Sequence, residues 1–176
     1  YKQLGKYETE DQIAAAKYLA NKPYIDENNI GIFGWSYGGY MSSLCITKGA
    51  DVFKSAIAVA PVTNWRYYDN IYTERFMQKP QDNGENYDIN SPINHVEKLK
   101  GNFWLRHGTA DDNVHFQNAT EMVSALVNKN KQFEFFAYPD KNHGIYGGFT
   151  RLHLYTKMTN FLMETLMEDN EWDPYL

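Results

Sequence analysis

Ser36 is the residue in this chain most plainly set up to do chemistry. It stands in Gly34-Trp35-Ser36-Tyr37-Gly38-Gly39, after the apolar run Ile30-Gly31-Ile32-Phe33 and before the helical-looking Tyr40-Met41-Ser42-Ser43-Leu44-Cys45-Ile46. G-x-S-x-G between a strand and a helix is the pattern of a nucleophile elbow, a strained turn that lifts a serine hydroxyl clear of the backbone. Gly34 and Gly38 sit where a Cβ is expected to collide as strand and helix cross. The turn also sets the N–H of Tyr37 at a helix N-terminus, aimed where an oxyanion would form. By composition alone the pattern arises in roughly one chain in twenty of this length, so the flanking elements and Gly39 carry much of its weight. The plain alternative is a glycine-rich turn in an ordinary α/β protein.

A serine nucleophile needs a base, and the base needs an orienting acid. After an elbow these follow in the order Ser, Asp or Glu, His, on loops beyond C-terminal strand ends. Two loops qualify, Gly108-Thr109-Ala110-Asp111-Asp112-Asn113 and Pro139-Asp140-Lys141-Asn142-His143-Gly144. Of five histidines, only His143 lies in the right loop and the right order. His95 and His153 fall within helical patterns, His115 at a helix start, and His107 reads as a structural residue under its loop. Asp111 and Asp112 both qualify as the acid, and the tight turn after the strand favours Asp111. Asp140 is too close to His143 to reach around its ring and reads as a turn residue.

The elements that position these residues alternate. Thr9-Glu10-Asp11-Gln12 reads as a capping box opening a helix, with Ile13, Ala16, Leu19 and Ala20 as its apolar stripe and Pro23 as its stop. Strands are expected at 29–33, 55–60, 102–107 and 132–138. Helices are expected at 37–48, 114–127 and 149–167, the second with Phe116, Ala119, Met122, Val123 and Leu126 on one face. Residues 61–90 read as irregular, polar and aromatic, with 81–86 a surface loop and Ser91-Pro92 opening a short helix. Such alternation implies parallel βαβ units.

The chain has 176 residues, 43% of them hydrophobic, enough for one globular domain. Its net charge of −5 and lack of a basic cluster argue against nucleic-acid binding. One cysteine, Cys45, excludes an intrachain disulfide and reads as a small core residue. No apolar stretch is long enough for a membrane-spanning helix. No His, Asp or Glu cluster has metal spacing, so no metal or cofactor is expected. The first residue is Tyr1, and the chain is read as a piece of a longer protein.

Gly34 to Tyr40, Ala58-Val59-Ala60-Pro61-Val62, Trp65 to Asp69, Tyr72-Thr73-Glu74-Arg75 and His107 to His115 extend the motif far beyond the elbow. Together they resemble the catalytic domain of the prolyl oligopeptidase family of serine peptidases, in its dipeptidyl-peptidase branch, over nearly the whole chain. The resemblance implies an α/β-hydrolase fold, of which residues 1–176 are a partial domain: the C-terminal half, with about four parallel strands flanked by helices. It implies Ser36 as nucleophile, Asp111 as acid, His143 as base and the Tyr37 N–H as an oxyanion donor. It assigns Tyr37, Val62, Trp65, Tyr68, Tyr72 and Val114 to the walls of a proline pocket, and Asn113 to a substrate carbonyl. A flat pyrrolidine ring suits aromatic walls; ordinary core packing is the bland alternative.

The implied activity is removal of X-Pro or X-Ala dipeptides from peptide N-termini through an acyl-enzyme. The implied context is a homodimer of the full-length protein, periplasmic, cell-surface or secreted. The family's upstream β-propeller, its glutamate pair for the substrate amino terminus, its tyrosine oxyanion donor and the first half of its sheet have no counterpart in these residues. This piece is therefore expected to be poorly active alone, with an open sheet edge. Two other readings are a non-catalytic binding module of the same family and a general esterase or endopeptidase on the same fold.

Overall fold

The apolar runs pair as a parallel sheet in the computed structural model, which describes residues 1–167. Its strands are β1 (Gly31–Trp35), β2 (Ser55–Val59), β3 (Asn102–Gly108) and β4 (Glu134–Tyr138), lying side by side in chain order. The register sets Trp35 beside Val59, Val59 beside Arg106, and Gly108 beside Tyr138. The loops that follow all four strands therefore leave from one end of the sheet, where open α/β sheets place their sites.

Among the described residues six α-helices accompany the strands: α1 (Lys6–Ala20), α2 (Tyr37–Lys48), α3 (Asn70–Met77), α4 (Pro80–Ile89), α5 (Gln117–Asn128) and α6 (Thr150–Leu166). Side chains alternate across a strand, and the core divides accordingly. Ala56, Ala58, Phe103 and Leu105 pack with Cys45 and Ile46 of α2 and with Ala119, Met122 and Leu126 of α5. Ile57, Val59 and Trp104 pack with Leu154, Met158 and Phe161 of α6. Both faces of β2 are thus covered, as a parallel sheet requires. Cys45 is a core residue, its thiol pushed up to about 12 by burial. At the edge, β1 has β2 as its one strand partner among the described residues. Phe33 there is 50% exposed and Leu19 of α1 is 46% exposed.

Several expectations about the elements change, and the helix expected from residue 114 begins at Gln117. Helix α1 starts one turn earlier than Thr9, because Gly5 adopts the left-handed conformation and its N–H donates to Glu8 Oε2. Thr9 is buried inside the helix and donates its hydroxyl back to the Gly5 carbonyl, a bond that competes with capping. Strand β1 is displaced by two residues and runs up to the elbow itself. Residues 81–86, expected as a loop, belong to α4: Pro80 opens it, and Asn83 at a kink donates to the Lys2 and Met77 carbonyls.

The segment between β2 and β3 is held by buried polar contacts. Thr63 N–H donates to Asn118 Oδ1 (2.9 Å), its hydroxyl to the Asn118 carbonyl (2.8 Å), and Ser91 Oγ donates to the Thr63 carbonyl (2.6 Å). Asn64 caps the 3-10 turn Trp65–Tyr67, and Asp69 caps α3. These bonds fix where the tyrosines at 68 and 72 emerge.

The two elbow glycines are not equivalent. A Cβ on Gly34 would lie 2.0 Å from the Gly38 carbonyl carbon, whereas one on Gly38 meets nothing within 4 Å. Only Gly34 is needed to avoid a collision of its own. Gly34→Ala is expected to destabilise the protein by about 1–3 kcal/mol in urea unfolding, whereas Gly38→Ala, at a helical position with open space, should be neutral or stabilising by up to about 1 kcal/mol. Equal costs would show that the crossing is looser than this contact requires.

Candidate active site

Ser36 joins β1 to α2 with φ 60 and ψ −118, a conformation that L-residues rarely adopt. Its N–H donates to the Val59 carbonyl (2.8 Å), and its carbonyl accepts from the Tyr40 N–H (3.0 Å). One bond extends the sheet and the other starts the helix, so the strained residue is held from both sides. Tyr37 is the first residue of α2, where a backbone N–H has no intrahelical acceptor.

The loops after β3 and β4 are bonded together. Thr109 N–H donates to the Tyr138 carbonyl (3.0 Å), Ala110 N–H to the Lys141 carbonyl (3.1 Å), and Asp140 N–H to Thr109 Oγ1 (2.9 Å). A Cβ on Gly108 would lie 2.1 Å from the Lys141 carbonyl oxygen, so this approach needs glycine. The pairing brings His143 Nδ1 to 2.8 Å from Asp111 Oδ2. A carboxylate oxygen accepts, so Nδ1 carries a proton, and in the neutral ring the lone pair is on Nε2. Asp112 and Asp140 are exposed and stand apart from this contact. The Trp35 indole N–H donates to the His143 carbonyl (2.9 Å), tying the histidine loop to the residue before Ser36. Among the described residues no hydrogen bond joins the Ser36 hydroxyl to His143; such bonds are often long in proteins without substrate.

Asp111 has a fully buried side chain. Its Oδ1 accepts from the N–H groups of Asn113 (3.0 Å) and Val114 (2.9 Å). Burial alone would raise its carboxyl. Hydrogen bonds from His107 and His143, with the Asn113 N–H, outweigh that and hold it well below the usual carboxylate range. His107 is a neighbour that the sequence reading left in a purely structural role. Its Nε2 donates to the Val114 carbonyl (2.7 Å) and lies 3.2 Å from Asp111 Oδ2, and its Nδ1 is buried without a partner. The one sequence signal was its place at a strand end, four residues before Asp111.

The residues expected to wall a pocket form one aromatic cluster next to α2. Trp65 stacks on Tyr72 at 5.6 Å and meets Tyr68 edge-on at 5.7 Å; Tyr37 lies 5.6 Å from Trp65. Val62 and Val114 are buried within it, while Tyr37, Tyr68 and Tyr72 are partly open. Asn113 Oδ1 accepts from the Tyr68 hydroxyl (2.8 Å), which leaves its amide N–H groups to meet a carbonyl. Among the described residues no cluster of His, Cys, Asp and Glu could hold a metal ion, and no helix is long and apolar enough to cross a membrane.

A parallel sheet with a serine elbow after one strand, then an acid and a histidine on later strand ends, defines the α/β-hydrolase class. Within that class the chain belongs to the prolyl oligopeptidase family, whose family model matches residues 1–169. It is 49% identical over 167 residues to human prolyl endopeptidase FAP, covering 93% of this chain and 22% of that protein. It is 44% identical over 166 residues to cat dipeptidyl peptidase 4, with the same coverage of 93% and 22%. The crystal structure of Porphyromonas gingivalis dipeptidyl peptidase 4 superposes with a TM-score of 0.93 at 49% identity, over 94% of this chain and 24% of that one. The chain thus spans about a fifth of the length of the curated relatives it matches, 22% in these two.

The lowered Asp111 carboxyl has a consequence for stability. A group whose folded value lies below its unfolded value, about 3.9 for Asp, stabilises the fold above that pH and loses its contribution as pH falls through the folded value. Wild-type protein is therefore expected to exceed Asp111→Asn in Tm at neutral pH. The gap should narrow steadily below about pH 4. A gap independent of pH would show that the carboxylate's charge is not what these donors stabilise.

Proposed function

We propose that residues 1–176 form the C-terminal part of the catalytic domain of a serine dipeptidyl peptidase that removes X-Pro or X-Ala from peptide N-termini. The observation that carries this reading is the His143–Asp111 hydrogen bond, tied through Trp35 to a strained serine. Ser36 Oγ attacks the scissile carbonyl while His143 Nε2 takes its proton. Asp111 holds the ring and stabilises the imidazolium. The Tyr37 N–H donates to the developing oxyanion. His143 then returns the proton to the leaving amine, and water releases the acyl group from Ser36 by the same steps reversed.

Specificity comes from the aromatic cluster. The pyrrolidine of proline lies against the partly open rings of Tyr37, Tyr68 and Tyr72, which buried Trp65, Val62 and Val114 hold in place from behind. The Asn113 amide donates to a substrate carbonyl. The rings already touch one another, with centroids 5.4 to 5.7 Å apart, so they present a closed, flat face that suits a pyrrolidine and gives way little to a larger side chain.

The remaining parts lie outside this chain: the second oxyanion donor, the clamp for the substrate's amino terminus, a β-propeller, and strands that continue the sheet from β1. The exposed Phe33 and Leu19 beside β1 support that continuation. The full-length protein acts as a homodimer in a periplasmic, cell-surface or secreted setting.

The test is a Gly-Pro p-nitroanilide assay. The full-length protein should cleave Gly-Pro in preference to Gly-Leu, and Tyr72→Ala should raise KM for Gly-Pro and relax that preference. The 176-residue chain alone should be slower by about 10²–10³, the cost of one missing oxyanion donor. Equal cleavage of both peptides, or kinetics untouched by Tyr72→Ala, would overturn the proline-pocket assignment.

A further inference from the structure

Tyr37 has two parts that face different tasks. Its backbone N–H begins α2 beside Ser36, and its ring packs against Trp65 at 5.6 Å and edge-on to Tyr40 at 5.5 Å. The hydroxyl at the far end of that ring is partly buried, and an unpaired hydroxyl there would be costly. It donates to Glu8 Oε1 at 2.5 Å. The other oxygen of the same carboxylate accepts from the Gly5 N–H at 3.1 Å. One side chain therefore closes the first turn of α1 and holds the residue that follows the nucleophile.

The position of Glu8 is itself fixed. The Tyr40 hydroxyl lies 2.9 Å from the Leu4 carbonyl and 2.7 Å from that of Asn90. Gly5 is pressed so closely to the Tyr40 ring that a Cβ there would lie 2.0 Å from its hydroxyl. The start of α1 is thus docked on α2. Burial and the Glu8 carboxylate together push the Tyr37 hydroxyl far up, so it stays a donor across the working pH range.

We propose that Glu8 is a positioning residue that sets substrate specificity at the Ser36 site, because its carboxylate fixes the Tyr37 ring as one wall of the proline cleft. This rests on the dipeptidyl-peptidase reading above. Without the bond, the ring is free to tilt about its side-chain torsions. The cleft then loses both its grip on proline and its exclusion of larger side chains. Ser36 and His143 do not touch Glu8, so the effect falls on recognition more than on acyl transfer.

The experiment uses the full-length protein with Gly-Pro and Gly-Leu p-nitroanilides and with p-nitrophenyl acetate, whose acyl group does not fill the cleft. Glu8→Ala should raise KM for Gly-Pro about fivefold to tenfold, the net worth of one ordinary intramolecular hydrogen bond. The Gly-Pro loss should exceed the acetate loss, and the Gly-Leu to Gly-Pro ratio should rise. Glu8→Gln, which keeps an acceptor, should recover most of the loss. Tyr37→Phe removes the same bond while leaving the α1 turn intact, and adding Glu8→Ala to it should cost little more KM. The proposal is overturned if Glu8→Ala leaves KM unchanged, if both substrates lose equally, if Gln is no better than Ala, or if the two substitutions add fully. Failure of the unmodified protein to cleave Gly-Pro would instead strike the function proposed above, and this role with it.

Discussion

The constraint on which the site depends is the crossing of β1 and α2 at Gly34. The helix backbone at Gly38 passes so close that no side chain fits on residue 34. With that spacing set, the residue between must turn sharply, and Ser36 takes a positive φ. Strain of this kind costs of order 1–3 kcal/mol and persists only where the surroundings over-determine it. Here they do. Residues 39–47 of α2 are all buried, and the Ser36 amide is bonded to β2. The packing that stabilises the domain is thus the same packing that presents the hydroxyl.

Asp111 and His143, proposed above as acid and base, are fixed by a second, more polar device. Three hydrogen bonds join the loops after β3 and β4, and Gly108 lets them touch. Asp111 is then buried with polar neighbours against both of its carboxylate oxygens. Two backbone N–H groups engage one oxygen, and two imidazoles face the other. Such an arrangement keeps the carboxylate ionised in spite of burial and orients His143 with its free nitrogen away from the acid. Trp35 ties the assembly to the elbow, so the sheet, and not the loops alone, sets the spacing.

Much of this was legible in the sequence because it depends on short-range rules. The elbow announced itself through Gly34, Ser36 and Gly38, and chain order pointed to His143 among five histidines. The four strands and the helix after the elbow followed from apolar runs and glycine stops. What escaped depends on contacts between distant residues. Thr9 looked like a cap, yet its hydroxyl turns back into the helix while Glu8 does the capping. Residues 81–86 are polar enough to read as a loop, and they lie in two helical pieces that meet at Asn83, whose non-helical backbone is held by side-chain bonds to the Lys2 and Met77 carbonyls. The contact of His107 with Asp111 depends on how a buried ring is turned, and no spacing rule reports that. The Glu8–Tyr37 bond joins residues 29 apart that no local pattern connects.

The central claim is that Ser36 is a nucleophile activated by His143. The most direct measurement is the reaction of the full-length protein with diisopropyl fluorophosphate, with the adduct located by peptide mass spectrometry and its rate compared between wild type and His143→Ala. The account predicts one adduct, on Ser36, formed about 10²–10⁴ times more slowly without the histidine, the usual contribution of a general base. An adduct on another residue, or a rate indifferent to His143, would contradict it.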